Sequence, residues 1–500
     1  MSNYTMTNTL TNDRFYTHNI ESLYGQYFIT TLPIETWYDW NEYNIDRYKL
    51  YCHKYLDVHN IINHEEKRIG FIVGTAIDPD TGVLNKDLLL DLSDKSISFD
   101  EHIENTIYRY GGRFVVIIIT REIKRIYLDP SGAMGTVYSI EEPIAGSTTS
   151  LINFVLAKQN KKPMTFLVPP PVASNKYYPA GMTSDKFIHR CLPNHYLNLN
   201  DYSQVRHWPP KPIIRMEEEE VFGVAENVGN TIEKMIYWLV TNKGGVYCTL
   251  TAGRDSRVML ACSIDFVDRI KYFTFSYDKK RNKSKKRRRH KIRGVLHDVS
   301  QSIEIARHNK LNHTIIHIKN RTYQELRDNL YRIGYDTSTG KANDFYYGCL
   351  RELDLSKSLI TGFAGAAASP IYWSYNDKYY DFLVPEDLLK RMGLPITENH
   401  IYFMSRWLDK NVSYDKYTLL DLLYIENRLG AWYGVNTYGT APFRHNISPY
   451  NHRKVLNATL ILPIKYKQSN QFRDDITRSK WPELLQYSYS HPGNRGLLHS

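Results

Sequence analysis

Residues 245–262 read GVYCTLTAGRDSRVMLAC, and this stretch decides the fold of the second half of the chain. An apolar run at 245–250 predicts a strand, a turn of small residues follows it, and a helical pattern begins at Asp255. The same alternation continues downstream, with strand patterns at 270–275, 314–318 and 358–361 and helical patterns at 297–309 and 323–334. Strands that alternate with helices favour a parallel sheet covered on both faces, which binds ligands at the C-terminal ends of its strands. We therefore expect a doubly wound α/β domain here.

The first half of the chain has a different pattern. Short apolar runs alternate with turn signals from residue 1 to about 205, which predicts antiparallel sheet with some helix. The clearest part is 107–138, where RFVVIIIT, RIYLD and TVYS are separated by turns and indicate a β-meander. Pro209, Pro210 and Pro212 then precede a helical segment, so we place the domain boundary at residue 212. The predicted domains are 1–212 and 213–500.

Composition excludes several classes of protein. Of the 500 residues, 42% are hydrophobic and 23% are charged, which is typical of a folded chain with more than one core. The most apolar run, Phe114–Ile119, is far shorter than the roughly 20 residues of a membrane helix, and the polar N-terminus does not resemble a secretory signal. We expect a cytoplasmic protein without a membrane partner. Its cysteines are too far apart for metal pairs or a disulfide framework, and we expect them to be reduced and mostly buried: Cys52, Cys191, Cys248, Cys262 and Cys349.

The net charge of +11 comes from one segment. Residues 279–293 contain eleven Lys and Arg and no acid, which equals the net charge of the whole chain. The rest of the surface therefore does not indicate a general phosphate-binding face. Three interpretations of 279–293 remain: a solvated disordered insertion, a nuclear-localisation-like address, and a clamp for nucleic acid. Mutual repulsion favours the first, and nucleic acid is a candidate partner only through this segment.

The turn after the first strand carries the candidate chemistry. Thr251, Ala252 and Gly253 allow a ligand to approach the backbone closely, and the free amides at the start of the helix attract phosphate. Asp255 and Ser256 are suited to a magnesium ion and a phosphate oxygen. An ordinary helix start capped by Asp–Ser explains the same residues equally well. From the residues alone, a diphosphate site and a plain helix cap are equally supported.

Several segments resemble the asparagine-synthetase family of ATP pyrophosphatases. The loop is similar to the family's SGGxDS pyrophosphate motif, Tyr272–Ser276 to its next strand, and Asp298 with Ala306 to its D…A…A helix. Thr361–Gly365 falls where the family has a second Gly-rich loop. Further matches resemble signatures of the glutaminase-like domain: Gly112–Phe114, Asp129–Gly132 with Tyr138, Leu192–Leu197, and Arg206–Trp208. The resemblance extends from about Phe71 to Leu485. It implies a degenerate Ntn-hydrolase-like antiparallel sandwich in 1–212 and a PP-loop domain with a helical C-terminal part in 213–500.

The resemblance implies ATP and Mg²⁺ as cofactors. Asp255 would be the metal ligand, Leu250 and Phe275 would hold adenine, and Arg254 and Arg257 would neutralise pyrophosphate. Core packing is the alternative for Leu250 and Phe275, and exposure to solvent is the alternative for the two arginines, favoured for Arg257. The full implied nucleotide-binding set is Leu250, Thr251, Ala252, Gly253, Arg254, Asp255, Ser256, Phe275 and Gly362.

The resemblance also implies catalytic residues in the C-terminal part. Glu426 would orient or deprotonate an amine, and Arg428 would hold a carboxylate, although a buried structural Glu–Arg pair explains the same letters slightly better. The family has a lysine that stabilises the acyl-adenylate transition state. Lys465, Lys467 and Lys480 lie in the matching stretch and spacing does not choose among them; we take Lys467 and Lys480 as the candidates.

Two departures limit the implied activity. The family's glutaminase nucleophile is an N-terminal cysteine, whereas here Ser2 follows Met1 and the first cysteine is Cys52, so we expect no glutamine hydrolysis. The family's acidic metal ligands in the second loop are replaced by Ala366 and Ala367. Asp255 is then the only obvious carboxylate for a metal.

The expected function is an ATP-dependent ligase that forms amide bonds. It would adenylate a small-molecule or peptide carboxylate, release pyrophosphate, and pass the acyl group to an amine or ammonia. Two alternatives remain: a catalytically inactive binding or regulatory protein of the same family type, and a PP-loop enzyme that acts on nucleic acid.

Overall fold

The computed structural model describes residues 23–34, 37–91, 96–159, 177–209, 212–241, 244–277, 286–318, 340–374, 383–411 and 413–490, with isolated positions at 325, 328, 332–334, 336–337 and 377. All statements on structure below concern these residues. Among them, no helix is both long enough and apolar enough to cross a bilayer.

The described part of the first half is built from fourteen strands and two helices. The strands are β1 (Tyr27–Thr30), β2 (Asn41–Ile45), β3 (Tyr48–Cys52), β4 (Val58–Ile62), β5 (Arg68–Asp78), β6 (Gly82–Val83), β7 (Leu88–Leu89), β8 (Gly111–Ile119), β9 (Lys124–Leu128), β10 (Val137–Ser139), β11 (Ile144–Gly146), β12 (Ile188–Arg190), β13 (His195–Asn198) and β14 (Gln204–Arg206). The helices are α1 (Phe99–Ile107) and α2 (Thr149–Lys158).

These strands form two sheets that pack face to face. One sheet has the order β12-β10-β11-β1-β3-β2 and is antiparallel. The other has the order β14-β13-β9-β8-β5-β4-β7, with β6 paired beside β5 and a single parallel pairing between β4 and β7. Alternating residues of β1 and β3 meet alternating residues of β5 and β8 in a shared core, as the two-residue period of strands requires. Helix α2 covers the outer face of the first sheet, and α1 covers that of the second. The layers are thus helix, sheet, sheet and helix.

The second half contains a five-stranded parallel sheet and most of the helices. Its strands are β15 (Val246–Thr249), β16 (Ile270–Tyr277), β17 (His313–Ile318), β18 (Ser358–Ile360) and β19 (Asn446–Ile447). Its helices are α3 (Val221–Thr241), α4 (Arg254–Ala261), α5 (Lys286–His308), α6 (Gly340–Glu352), α7 (Pro385–Arg391), α8 (Glu398–Asp409), α9 (Lys416–Leu422), α10 (Gly434–Asn436), α11 (Arg453–Leu460), α12 (Ile464–Ser469) and α13 (Phe472–Lys480). A π-helical segment, Leu423–Tyr433, joins α9 to α10.

The order of the parallel sheet is β17-β16-β15-β18-β19, and every pairing in it is parallel. From β15 the chain first adds β16 and β17 on one side and later adds β18 and β19 on the other. Helices α3 and α4 pack in the core on one face, and α6 packs on the opposite face. The coarse prediction is confirmed: the protein combines an antiparallel sheet, a mixed sheet and a parallel sheet with helices.

Some predicted boundaries were wrong. The helix expected from residue 297 starts at Lys286, because the lysines and arginines before it are good helix formers. The backbone of 286–293 is therefore helical, which contradicts a disordered insertion over that part of the basic segment, whereas 278–285 lies outside the described residues. Most of the helix expected at 323–334 also lies outside them. Strand β19 was not predicted, because two residues carry no periodic signal.

Candidate functional site

The strand order reverses between β15 and β18, where open α/β sheets place a ligand crevice. The loops after these two strands, 250–253 and 361–364, meet at their C-terminal ends. A Cβ added at Gly362 would lie 3.0 Å from the Cβ of Asp255, and one added at Gly365 would lie 2.7 Å from its Oδ1. Only glycine allows this approach. We call this space the switch-point crevice, because open α/β sheets bind ligands where the strand order reverses.

The loop at 250–253 has a fixed conformation built from its own polar groups. The Thr251 amide donates to Ser256 Oγ at 3.2 Å, and the Gly253 amide donates to Thr251 Oγ1 at 3.1 Å. The Ala252 amide donates to Asp298 Oδ1 at 3.2 Å, a contact of the kind that a phosphate oxygen makes. Three amides of the predicted cradle are thus already bonded within the protein.

Two other amides of this region remain available. Helix α4 begins at Arg254 after Gly253, which gives it no side-chain cap, and its first intrahelical bond runs from the Arg257 amide to the Gly253 carbonyl. The amides of Asp255 and Ser256 have no hydrogen-bond partner among the described residues. Unpaired amides at a helix N-terminus carry partial positive charge and bind anions.

Asp255 is not a free metal ligand. Its Oδ1 accepts a short hydrogen bond from Nη1 of Arg473, a buried residue of α13. Nη2 of Arg473 donates to Ser369 Oγ at 2.5 Å and to Asn470 Oδ1 at 2.8 Å, which fixes the guanidinium in place. Burial alone would lower the pKa of Arg473, but the charge of Asp255 outweighs it and the pKa is raised. The aspartate is therefore neutralised by an arginine.

The second loop adds no carboxylate. Ala364 adopts a left-handed conformation, with φ of 70°, and the turn Gly365–Ala368 follows it. Ala366 and Ala367 lie in this turn where acidic side chains would be needed. Within the described ranges, no three His, Cys, Asp or Glu side chains form a metal-binding group. Because Mg²⁺ needs a free carboxylate, the implied Mg²⁺ does not fit the residues present.

The two arginines of the loop are both anchored. Arg254 Nε lies 3.1 and 3.2 Å from the two carboxylate oxygens of Asp474, and its Cζ lies 4.2 Å from the ring centroid of Tyr489. The expectation that Arg257 points to solvent was wrong: it is fully buried and donates to the carbonyls of Leu484, Tyr487 and Ser488. Buried carbonyl groups attract a guanidinium, because each would otherwise lose its hydrogen bond to water.

The C-terminal segment lies against the same loop. The Ser490 amide donates to the Ala252 carbonyl at 3.1 Å, and the Tyr489 hydroxyl donates to Asp474 Oδ1 at 2.7 Å. The centroid of the Tyr489 ring lies 4.2 Å from Arg254 Cζ and 4.3 Å from Arg257 Cζ. The segment therefore covers part of the loop that the sequence assigned to phosphate.

Arg428 is a cation near the crevice. It belongs to the π-helical segment, and its Cζ lies 4.8 Å from the ring centroid of Trp432 and 5.7 Å from that of Tyr177. It has no carboxylate partner among the described residues. Trp432 in turn meets Phe363 of the loop 361–364 edge to face, with ring centroids 5.9 Å apart, so Arg428 lies on that side of the crevice. Arg428 also interacts with the hydroxyl groups of Tyr177 and Tyr372, and its charge is not balanced by an acid of the described residues.

Glu426 lies elsewhere, in a buried ion pair. It is fully buried and accepts hydrogen bonds from Arg206 at 2.5 and 2.7 Å, from Asn194 at 3.2 Å and from Trp407 at 2.8 Å. Its arginine partner is therefore Arg206 of β14, not Arg428. Both carboxylate oxygens of Glu426 accept hydrogen bonds, and these bonds link the first half of the chain to the second.

The two predicted lysines also have structural partners. Lys467 Nζ lies 2.7 Å from Asp421 Oδ2 and donates to the Thr459 carbonyl at 2.9 Å, and both charged side chains are buried. Lys480 Nζ lies 2.5 Å from Glu233 Oε2 on α3. Neither ammonium group is brought to the switch-point crevice.

Replacing Lys467 by methionine should lower the free energy of unfolding by about 3–5 kcal/mol, because Asp421 is left buried without a counter-charge. The double variant Lys467→Met/Asp421→Leu should recover most of this loss. Chemical denaturation of the three proteins measures the effect. If Lys467→Met unfolds at the wild-type denaturant concentration, the ion pair is not structural.

The two residues that the resemblance assigns to adenine, Leu250 and Phe275, contact other parts of the protein. Leu250 is fully buried; its amide donates to the Phe273 carbonyl, and its carbonyl accepts from Thr274 and Ser302. Phe275 packs against Phe345, with ring centroids 4.9 Å apart. Leu250 thus belongs to the core, whereas Phe275 is half-buried beside the aromatic cluster.

All five cysteines are free and buried, as predicted. Burial raises the pKa of Cys52, so this thiol is a poor nucleophile. The sequence interpretation missed Arg473, Asp474 and Tyr489, which surround the loop from more than 200 positions away. Of the residues that contact the loop from outside it, only Asp298 was indicated by the sequence, through the resemblance of its helix to the D…A…A helix of the family. In the comparisons with known proteins, no family model matches the chain and no curated protein is significantly similar to it.

Proposed function

We propose that this chain is an asparagine-synthetase-like protein that binds the phosphates of an adenine nucleotide in the switch-point crevice without catalysing adenylation. The pairing of Asp255 with Arg473 carries this proposal. It occupies the only carboxylate that the sequence offered to a metal, and it holds a guanidinium, whose charge Asp255 balances, beside the loop. The sequence motifs suggest an Ntn-like domain followed by a PP-loop domain, and we retain that descent. We propose that the catalytic activity has been lost.

Positive charge and unpaired amides support phosphate binding. The Asp255 and Ser256 amides are available at the start of α4, and Arg428 has no acidic partner in the described part of the chain. A guanidinium donates two parallel hydrogen bonds to phosphate and keeps its charge at any physiological pH. These groups offer a phosphate tail what a metal would otherwise supply, namely charge neutralisation and orientation. Adenine is assigned from the resemblance alone.

The arrangement of the predicted catalytic residues argues against turnover. Glu426 is saturated by Arg206, Asn194 and Trp407, and Lys467 is held by Asp421. Adenylation would also need charge stabilisation as the pyrophosphate leaves, which the residues present do not provide through a metal. We therefore propose that the crevice binds a nucleotide and does not catalyse a reaction.

The first test is a calorimetric titration of ATP into the full-length protein. We expect saturable binding that pyrophosphate competes away, and we expect Arg428→Met to weaken it about tenfold through loss of a charged hydrogen bond. Arg351→Met, at an exposed position on α6, is the matched control and should bind like wild type. Binding that pyrophosphate does not displace, or equal affinities in all three proteins, would overturn the proposal.

An AMP-forming ligase is the second candidate. It is favoured by the hydroxyl groups of Thr251 and Ser256, which remain on the loop 2.8 Å apart. In that reaction a carboxylate oxygen attacks the α-phosphorus of ATP, pyrophosphate leaves, and an amine then displaces AMP from the acyl carbon. ATP–pyrophosphate exchange across a panel of carboxylates separates the two candidates, because only the ligase produces labelled ATP.

A further inference from the structure

A second cavity lies between the first half of the chain and helix α8, and it shares no residue with the switch-point crevice. Its volume is about 200 Å³, below the usual range of pockets for drug-sized ligands, so only a small molecule fits it. Strands β10, β12, β13 and β14 contribute one side, and α8 contributes the other. The lining residues used below are Tyr138, His195, Phe403, Arg406, Trp407 and Lys410.

The charge at the mouth of this cavity is positive. Arg406 and Lys410 stand one turn apart at the end of α8, and both are exposed. Arg406 donates to the Tyr402 hydroxyl at 3.3 Å, and neither cation has a carboxylate partner among the described residues. No Asp or Glu lines the cavity. Two cations at the rim of a cavity without an acid attract an anion.

The floor offers a hydrogen-bond donor. Tyr138 is 6% exposed, and its hydroxyl accepts from Gln204 Nε2 at 3.0 Å. Gln204 is itself fixed, because Nε2 also donates to the Arg190 carbonyl and Oε1 accepts from the Leu192 amide. The hydroxyl proton of Tyr138 has no acceptor among the described residues. Burial raises the pKa of Tyr138 to about 12, so this proton stays in place as a donor.

The walls between mouth and floor are flat and apolar. Phe403 and the buried Trp407 come from α8, and the His189 ring meets that of Phe403 edge to face, with centroids 5.3 Å apart. His195 adds a further ring, 2% exposed, whose Nδ1 donates to the Pro193 carbonyl at 3.0 Å. Aromatic walls favour a planar apolar body.

We propose that this cavity binds a small aromatic carboxylate, whose carboxylate accepts a hydrogen bond from the Tyr138 hydroxyl at the floor, whose ring lies against Phe403 and Trp407, and whose charge is attracted by Arg406 and Lys410 at the rim. A carboxylate fits better than a larger dianion, because the cavity offers one buried donor and two rim cations in a small volume. The site goes beyond nucleotide binding and does not depend on it.

Benzoate, titrated into the full-length protein by calorimetry and by saturation-transfer NMR, is the probe. Benzamide has the same shape without the charge, and we expect it to bind at least tenfold more weakly. Lys410→Met and Tyr138→Phe should each weaken benzoate about fivefold. The matched control is Lys390→Met on the neighbouring helix α7, which should bind like wild type.

Three outcomes would overturn the site: no saturable binding of benzoate, equal binding of benzoate and benzamide, or wild-type affinity in both cavity variants. The unfolding midpoints of the variants are measured in parallel, and Tyr138→Phe tests the donor with only one oxygen atom removed. Saturation with ATP should leave benzoate affinity unchanged. If the protein binds benzoate but not ATP, the nucleotide proposal is wrong and the cavity proposal stands.

Discussion

Replacing Glu426 by glutamine should lower the free energy of unfolding by about 3–5 kcal/mol, since Arg206 would keep its charge in a buried place without a carboxylate. Four hydrogen bonds from three residues converge on this side chain and join the turn before β13, β14, α8 and the π-helical segment. Urea denaturation measures the loss. The matched control is Glu42→Gln at an exposed pair with Lys49, which should cost less than about 1 kcal/mol.

The same variant has a defined pH dependence. Burial alone would raise the pKa of Glu426, but the charge and hydrogen bonds of Arg206 outweigh it, and the pKa is lowered from its usual 4.5. A carboxyl group with a lowered pKa in the folded protein stabilises it above the unfolded pKa, and this contribution is lost as the pH falls through the folded pKa. The stability difference between wild type and Glu426→Gln should therefore be constant above about pH 5 and shrink at lower pH. A difference that grows on acidification would contradict the ion pair.

Replacing Asp255 by asparagine should strengthen ATP binding about tenfold in the presence of EDTA, because one negative charge is removed beside the phosphates and Arg473 is freed to meet them. The sign of this effect is diagnostic. In a magnesium-dependent ligase, the same change removes a metal ligand and weakens nucleotide binding. Calorimetric titration of both proteins measures the difference.

The control for this prediction is Asp265→Asn. Asp265 is exposed and precedes β16, at the N-terminal ends of the parallel strands, whereas the crevice lies at their C-terminal ends. It removes the same net charge without touching the site, so its affinity for ATP should equal that of wild type. Equal strengthening in both variants would mean that the effect is only one of total charge.

Much of the fold could be predicted because its signals are local. The run at 245–250 and the helical pattern after it gave β15 and α4 within one or two residues, and the alternation that follows gave the parallel sheet. The stacking of the two sheets in the first half, the two-residue β19 and the π-helical turn depend on contacts between distant segments. Such contacts leave no period in the sequence.

The site was predictable only where a motif is contiguous. The loop at 250–256 was found from its small residues and its resemblance to a phosphate motif. Its partners were not, since Arg473 reaches Asp255 across 218 positions and Arg206 reaches Glu426 across 220. Arg257 was assigned to solvent because its partners are backbone carbonyls, which no side-chain pattern reveals.

In the proposed nucleotide site, an arginine takes the place of the metal. The most direct measurement is the dissociation constant of ATP for the full-length protein, determined by calorimetry once with excess Mg²⁺ and once with EDTA. Binding in EDTA at least as tight as in Mg²⁺ is the predicted result. ATP binding that appears only when Mg²⁺ is present would contradict it.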